Sequence, residues 1–204
     1  MRAENRAKRR DHILDIAIEV LSERGYRDAN MLEVARRARA SKETLYSWFG
    51  DKHGLFEAVI KRNAASVQQV MESQLERDAP AEAAMVAFGR ALLTLLVGES
   101  AVALNRAAIS EAASDPRLAE TLAASGRQAT LPAFTRCLEL QASRGHLEMR
   151  SPDEAVEDFL GLLLGDLQVR RLLGVTASLN EAQIETRAKA ATEKFLRLYE
   201  APSP

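Results

Sequence analysis

The chain has 204 residues, 47% of them hydrophobic and 28% charged, with a formal net charge of −1, which is typical of a globular protein with an apolar core. Its single cysteine, Cys137, excludes an internal disulfide framework and a cysteine metal cluster. The chain has no uncharged apolar run of about 18 residues, and its charged N-terminus lacks an apolar signal core, so we expect a cytoplasmic protein without a membrane span.

Charge is divided unevenly along the chain. Residues 1–62 contain 14 Lys and Arg against 10 Asp and Glu, whereas the remainder contains 14 against 19. A basic head on an acidic body indicates contact with a polyanion at one end. The excess is small, so by itself it supports nucleic-acid binding only weakly.

Apolar residues at helical spacing predict an all-α protein. Gly25 ends the first helix, Asn30 and Ser41 are suitable N-caps for the second and third, and Glu33 would complete a capping box with Asn30. Alternating segments of strand length do not occur. About nine helices are predicted, within residues 6–24, 30–38, 42–49, 51–75, 81–97, 101–113, 127–143, 153–173 and 180–199, with a short helical piece at 117–124.

Residues 30–38 and 42–48 fit a helix-turn-helix, in which a supporting helix precedes a short helix that enters the major groove of DNA. On the second of these helices Leu45 and Phe49 are four residues apart and face the core, so the polar and aromatic residues point outward. We therefore predict an N-terminal DNA-binding domain at 1–52 and a C-terminal helical domain at 53–204.

The predicted DNA contacts use side chains that suit phosphate or base edges. A lysine can bind phosphate or a guanine edge, and hydroxyl groups can donate to phosphate. The predicted set is Asn30, Met31, Lys42, Thr44, Tyr46, Ser47, Trp48 and Lys52. The basic N-terminus is either an arm that reaches the minor groove or a solvated terminus, and its residues are Arg2, Arg6, Lys8, Arg9 and Arg10.

From about Ile13 to Val59 the sequence resembles the TetR family of bacterial transcriptional repressors. The resemblance rests on Gly25-Tyr26, Val34-Ala35-x-x-Ala38, Ser41-Lys42-x-Thr44-Leu45-Tyr46-x-x-Phe49 and Lys52-x-x-Leu55-Phe56. The body is similar, more loosely, to the AefR-like subgroup through Ala107-x-x-Ser110-Glu111-Ala112, Asp115-Pro116-Arg117 and Ser151-Pro152-x-x-Ala155. The resemblance implies a dimer formed by the last two long helices.

Three residues depart from the family pattern. Arg39 stands where the family usually has glycine, so it is expected either to adopt a left-handed conformation at some cost or to change the turn. Ala29 lacks a hydroxyl that is common in the family, and Trp48 replaces a frequent histidine. Trp48 either lies along the DNA backbone or packs against the protein.

The helix predicted at 153–173 is apolar around most of its circumference, so it must be covered on more than one side, and a second copy is the simplest partner. Gly161 and Gly165, four residues apart, permit close helix approach. The predicted dimer interface is Leu160, Leu164, Leu167, Arg171, Ile184, Ala188 and Phe195. The alternative is a central helix of a monomer.

Helices 81–97, 101–113 and 127–143 are predicted to enclose an apolar ligand pocket against 153–173. A lipophilic or aromatic compound suits such a lining, with Asn105 or Arg106 as a polar contact. The predicted lining is Phe88, Leu92, Leu104, Arg106, Phe134, Cys137, Phe159 and Leu163, although such residues are more often plain core.

The sequence thus predicts a dimeric repressor that binds a palindromic operator in double-stranded DNA and is released by a small lipophilic ligand. No cofactor, metal site or catalytic group is expected, because the three histidines are scattered and the acids are not paired with a nucleophile. One alternative is an all-helical carrier with impaired DNA binding, for which Ala29, Arg39 and Trp48 are the reasons. A helical enzyme is the other alternative, and the sequence offers no acid–base or metal group in its favour.

Overall fold

The computed structural model describes residues 2–199, apart from the side chains of residues 2, 3 and 125–127. The described part contains no β-strand, which confirms the all-α class. Its helices are α1 (Arg2–Asp28), α2 (Met31–Arg37), α3 (Lys42–Phe49), α4 (Lys52–Glu76), α5 (Ala81–Val97), α6 (Glu99–Glu111), α7 (Arg117–Thr121), α8 (Arg127–Ser143), α9 (Pro152–Leu164), α10 (Leu167–Leu172) and α11 (Glu181–Tyr199), with a π-helical turn at Leu122–Gly126.

The structure divides into two compact units. The first contains the residues up to Arg62 together with Ser100–Gly126, and the second contains Asn63–Glu99 and the residues from Arg127 onward. The DNA-binding domain predicted at 1–52 ends within the first turn of helix α4, which begins at Lys52. The compact unit that holds the helix-turn-helix therefore extends beyond that domain and includes a later segment of the chain.

The later segment contributes to the core of the first unit. Leu104, Ala107 and Leu118 are buried in the same apolar cluster as Leu45 of α3 and Phe56 of α4. Helices α6 and α7 thus bury apolar surface that α1–α4 would otherwise expose to water, which stabilises the helix-turn-helix.

Four stacked or tilted aromatic rings form the centre of the second unit. Phe88 of α5 stacks on Phe134 of α8 with ring centroids 3.9 Å apart, and Phe134 lies 5.0 Å from Phe159 of α9. Phe159 meets Phe195 of α11 edge-on at 5.6 Å. These rings connect all four helices through one continuous contact.

Helices α5, α9 and α11 approach closely at Gly89. A Cβ atom there would lie 3.2 Å from both the Ala188 Cβ atom and a Leu163 methyl group, so a larger residue would force the helices apart. This approach fixes the apolar face of α11 against the core.

The single helix predicted over 153–173 is two helices, because Gly165 has φ 49° and ends α9 before α10 begins at Leu167. Eleven α-helices are present in the described part, against about nine predicted. Among the described residues no single helix is long and apolar enough to cross a membrane; one bent pair, α5 with α6, meets the length and composition criteria together.

Candidate nucleic-acid interface

The turn between α2 and α3 is built on Arg39, which has φ 50°. The Ala40 N–H donates to the Ala35 carbonyl at 2.9 Å and the Arg39 N–H donates to the Arg36 carbonyl at 3.2 Å, which is the hydrogen-bond pattern of a Schellman C-cap. Of the two alternatives expected for Arg39, the structure has the left-handed conformation. The turn keeps the geometry that glycine usually provides.

Both helices of the motif begin at the predicted N-caps. Asn30 Oδ1 accepts from the Glu33 N–H at 2.9 Å, and Ser41 Oγ accepts from the Thr44 N–H at 3.1 Å. The caps fix where each helix begins, and hence which side chains point outward.

The carboxylate of Glu33 binds arginines instead of completing a capping box. It accepts from Arg36 Nη2 at 2.9 Å and from Arg37 Nε at 2.7 Å, and these hydrogen bonds lower its pKa to about 2. Arg37 also donates to Glu23 of α1 at 2.6 and 2.8 Å. This network joins α1 to α2.

Helix α3 has one buried side and one exposed side. Leu45 and Phe49 are buried, while Lys42, Tyr46 and Ser47 are exposed, Tyr46 to 44%. Lys42 Nζ lies 5.6 Å from the centre of the Tyr46 ring. The exposed side thus presents an ammonium, a phenol and a hydroxyl close together.

Thr44 is only half-buried, and its Oγ1 lies 2.9 Å from Ser41 Oγ. Met31 is buried, with 5% of its surface exposed, so its side chain lies in the core. The prediction that Met31 contacts DNA is therefore corrected. Its neighbour Leu32 is 57% exposed on α2. Leu32 is absent from the predicted set, because nothing in the sequence indicated that an apolar residue at the start of this helix would be exposed to solvent.

Lys52 begins α4 as predicted, but its ammonium binds the protein. Nζ donates to the Tyr26 carbonyl at 2.8 Å and to the Arg27 carbonyl at 3.3 Å, and it lies over the Tyr26 ring. Burial lowers the pKa of Lys52. Lys52 therefore fixes the last residues of α1, which follow a break in the helix at Gly25 (φ 73°), to the start of α4.

Trp48 is half-buried against the core of the first unit, so part of its surface packs against the protein. The basic N-terminus is helical from Arg2, and Arg6, Arg9 and Arg10 lie on α1. The side chain of Arg2, which the sequence analysis grouped with them, lies outside the described residues.

The predicted ligand pocket is split between the two units. Phe88, Leu92, Phe134, Cys137, Phe159 and Leu163 are buried together in the second unit. Leu104 lies in the core of the first unit, and Arg106 is exposed on α6 of that unit, so neither lies with the other six. The sequence pattern shows that these residues are buried without showing which core they join.

Cys137 is 2% exposed, and burial raises the pKa of its thiol. In the described part of the chain, no three His, Cys, Asp or Glu side chains form a group that could hold a metal ion.

Most residues of the predicted dimer interface belong to the protomer's own core. Leu167, Arg171, Ile184, Ala188 and Phe195 are each no more than 7% exposed, so the prediction that they face a partner is corrected. Leu160 and Leu164 are half-buried against the same core. The amphipathic pattern of α11 correctly identified which residues are buried. It could not show whether a helix of the same protomer or a second copy covers them, because apolar periodicity carries no information about the partner.

Arg171 is buried with acceptors on three sides. Its Nε donates to the Val97 carbonyl at 3.1 Å, Nη1 to the Thr176 carbonyl at 2.9 Å and Nη2 to Glu99 Oε1 at 2.8 Å. It therefore links α10 to the end of α5 and the first residue of α6.

An open groove of about 600 Å³ lies along the outer side of α9 and α11. Leu162, Thr186, Ala190 and Lys194 are part of its lining. Ala190 and Lys194 are exposed, and Leu198, one turn further along α11, is 66% exposed. The outward side of these two helices is thus a mixed apolar and polar surface.

Two family models match the chain. Residues 13–59 match the model for bacterial regulatory proteins of the tetR family, and residues 83–201 match the C-terminal domain of AefR-like transcriptional repressors. The chain belongs to the TetR family. The resemblance seen in the sequence is confirmed for both parts.

Solved structures of TetR-family regulators cover nearly the whole chain. One from Mesorhizobium loti is 28% identical with a TM-score of 0.79, covering 96% of this chain and 98% of its own. One from Agrobacterium tumefaciens is 32% identical with a TM-score of 0.74, covering 94% and 95%. The flavonoid-responsive regulator FrrA is 28% identical with a TM-score of 0.67, covering 97% and 100%.

Several curated relatives are named as HTH-type transcriptional regulators; one of them is the transcriptional activator FasR from Mycolicibacterium smegmatis, 37% identical over 87 residues. That match spans 41% of this chain and 40% of the relative. The chain thus matches less than half the length of that relative.

Proposed function

We propose that this TetR-family protein is a sequence-specific transcriptional regulator that binds a palindromic operator as a homodimer through α3. The observation that supports this most is the exposed side of α3, where Lys42, Tyr46 and Ser47 stand clear of the core that holds Leu45 and Phe49. A short helix anchored in this way fits the major groove.

Each exposed side chain has a role in this proposal. Lys42 binds a phosphate or a guanine edge, Tyr46 and Ser47 donate hydroxyl hydrogen bonds, and Asn30 fixes the start of α2. Lys52 acts mainly by holding the end of α1 in place, since its ammonium already donates to the carbonyls of Tyr26 and Arg27. Thr44 supports the start of α3 through Ser41.

Two protomers are needed because one head offers too few contacts for tight and specific binding. We propose that they meet through the outward side of α9 and α11, where the groove containing Leu162 and Ala190 is open. Burying this mixed apolar surface against a second copy is favourable. A two-fold axis then presents two α3 helices to half-sites about one helical turn of DNA apart, roughly 34–36 Å.

We propose that the second unit senses a small lipophilic ligand. Its aromatic centre at Phe88, Phe134 and Phe159 suits a planar or aliphatic compound, and the similar regulator FrrA is described as flavonoid-responsive. The rings are in contact at 3.9 Å, so a ligand would have to select a different arrangement of these helices. The ligand can weaken DNA binding by no more than the factor by which it binds one arrangement more tightly than the other.

Repression relieved by the ligand is the proposed mode, because the match to residues 83–201 is with AefR-like repressors. The protein is proposed to bind DNA and a ligand without catalysing a reaction. Because it acts on DNA, its proposed location is the cytoplasm. The carrier alternative loses one of its reasons, because Arg39 adopts the conformation that the turn requires.

Selection of bound duplexes from a random pool tests the proposal. Purified wild-type protein is expected to recover a palindrome, and a Lys42→Ala, Tyr46→Ala double variant is expected to recover none while keeping its dimeric mass. If the wild-type protein recovers no motif, or if the double variant recovers the same one, the proposed role of α3 is wrong.

A further inference from the structure

Two arginines of α1 cover the aromatic residues at the end of α3. The guanidinium carbon of Arg6 lies 5.4 Å from the centre of the Trp48 ring, and that of Arg10 lies 5.5 Å from the Phe49 ring. Both distances are within the range of a cation–π interaction. The N-terminal turns of α1 thus contact the end of α3 that lies farthest from its Ser41 cap.

A third arginine of α1 contacts the turn before α3. Arg9 donates a hydrogen bond from Nη2 to the backbone carbonyl of Arg39. Arg39 is the residue with φ 50° on which the turn depends. The turn and the end of α3 are therefore both held by consecutive turns of one helix.

We propose that Arg6, assisted by Arg9 and Arg10, is a positioning residue that holds α3 in its DNA-binding orientation by acting through Trp48. This inference rests on the proposed function. It assigns a role to Trp48, a departure from the family pattern, and to the basic N-terminus, which the sequence analysis left open between an arm and a solvated terminus.

The physical reason is the length of α3. A helix of eight residues is unstable by itself and depends on tertiary contacts. Leu45 and Phe49 anchor one side, and Arg6 closes the outer face of Trp48. Without Arg6 the end of α3 samples other orientations, and the free energy of ordering it is then paid when DNA binds.

The same arginines would act differently if they were DNA contacts. A phosphate contact contributes to the salt dependence of binding, so its loss reduces the slope of log K against log salt by about 0.9 per phosphate. A positioning residue changes the affinity and leaves that slope unchanged. It also acts only while its intermediary, Trp48, is present.

The experiment compares Arg6→Gln with Lys8→Gln in the full-length protein. Lys8→Gln is a matched control, because it removes one positive charge from the same part of α1. The Lys8 ammonium pairs with Glu4 at 2.8 Å on an exposed surface. Trp48 is the only tryptophan of the chain, so the intrinsic fluorescence reports its surroundings. R6Q is expected to shift the emission to the red and raise acrylamide quenching, whereas K8Q leaves both as in the wild type.

The operator recovered by the wild-type protein is then titrated at several salt concentrations. With one cation–π pair in each of two heads, R6Q is expected to weaken the Kd by about five- to thirtyfold with an unchanged salt slope. In a Trp48→Leu background, adding R6Q is expected to change the Kd by less than roughly twofold, because the two residues act as one unit.

Unchanged fluorescence or an unchanged Kd in R6Q overturns the inference while the proposed function stands. A salt slope reduced by about 0.9 or more, with the same loss in the W48L background, shows a phosphate contact and also overturns it. If the wild-type protein recovers no operator, the proposed function fails and the inference fails with it.

Discussion

Lys52 donates a hydrogen bond from Nζ to the Tyr26 carbonyl at 2.8 Å and lies 4.4 Å from the centre of the Tyr26 ring. Tyr26 is itself buried, and its ring packs 5.5 Å from that of Phe56 on α4. A residue expected to bind phosphate is thus part of the packing that joins α1 to α4. Its charge still contributes to the positive potential of the head.

Replacing Lys52 with Met should destabilise the fold. The change leaves the carbonyls of Tyr26 and Arg27 without this donor, at a cost of about 1–3 kcal/mol in the free energy of unfolding, measured by urea denaturation. Lys42→Met is the matched control: the Lys42 ammonium is exposed, so its loss should change stability by less than about 0.5 kcal/mol. Equal effects of the two changes would contradict this role for Lys52.

Replacing Arg39 with Gly should stabilise the fold. A side chain at φ 50° carries a steric cost that glycine avoids, and this gain exceeds the entropy that glycine adds to the unfolded chain, giving about 0.5–1 kcal/mol. The bond from Arg9 to the Arg39 carbonyl is retained because its acceptor is backbone. Arg39→Ala, which removes the same side chain but keeps Cβ, should show no gain; a similar gain in both would place the cause in the arginine side chain.

The network around Glu33 should make stability depend on pH in the acid range. Hydrogen bonds from Arg36 and Arg37 lower the pKa of Glu33 from 4.5 to about 2 in the folded protein. A carboxylate with a lowered folded pKa stabilises the fold above its unfolded pKa, and this contribution is lost as pH falls from 4.5 towards 2.

The Tm difference between the wild type and Glu33→Gln should therefore be largest above about pH 5 and shrink towards pH 2. Glu4→Gln, in an exposed pair with Lys8, serves as the control, and its Tm should stay close to that of the wild type at each pH. A Tm difference for E33Q that does not vary with pH would rule out this contribution.

A charged side chain on the outward face of α11 should dissociate the dimer. Ala190→Arg places a guanidinium in the groove beside Leu162, where a second copy is proposed to pack. Sedimentation velocity is expected to show half the wild-type mass with the helical circular dichroism retained. Ala83→Arg, at an exposed alanine of α5, is the control and should stay dimeric; an A190R variant that also stays dimeric would place the interface elsewhere.

Local signals in the sequence were sufficient for the helix caps and the turn of the helix-turn-helix. Asn30 and Ser41 are caps whose side chains bond within three residues, and Arg39 is the left-handed residue directly after the C-cap of α2, so short-range chemistry determines all three. The exposed residues of α3 followed from the position of Leu45 and Phe49. Met31 was misassigned because the first residue of a short helix belongs to no clear face.

The body required information that periodicity does not contain. The apolar face of α11 is evident from Ile184 to Phe195, but whether a neighbouring helix or a second copy covers it depends on contacts distant in sequence. The inclusion of α6 in the core of the head, through Leu104, is also a long-range contact. The break at Gly165 depends on a local conformation that glycine permits but does not require.

The salt dependence of affinity for the selected duplex tests the central claim most directly. If each of two heads neutralises about three phosphates, log K should fall with log salt at a slope of about −5, and binding should be stoichiometric at two protomers per palindrome. A flat slope, or equal affinity for the selected and a scrambled duplex, would contradict DNA recognition by α3 and leave ligand binding as the function of the protein.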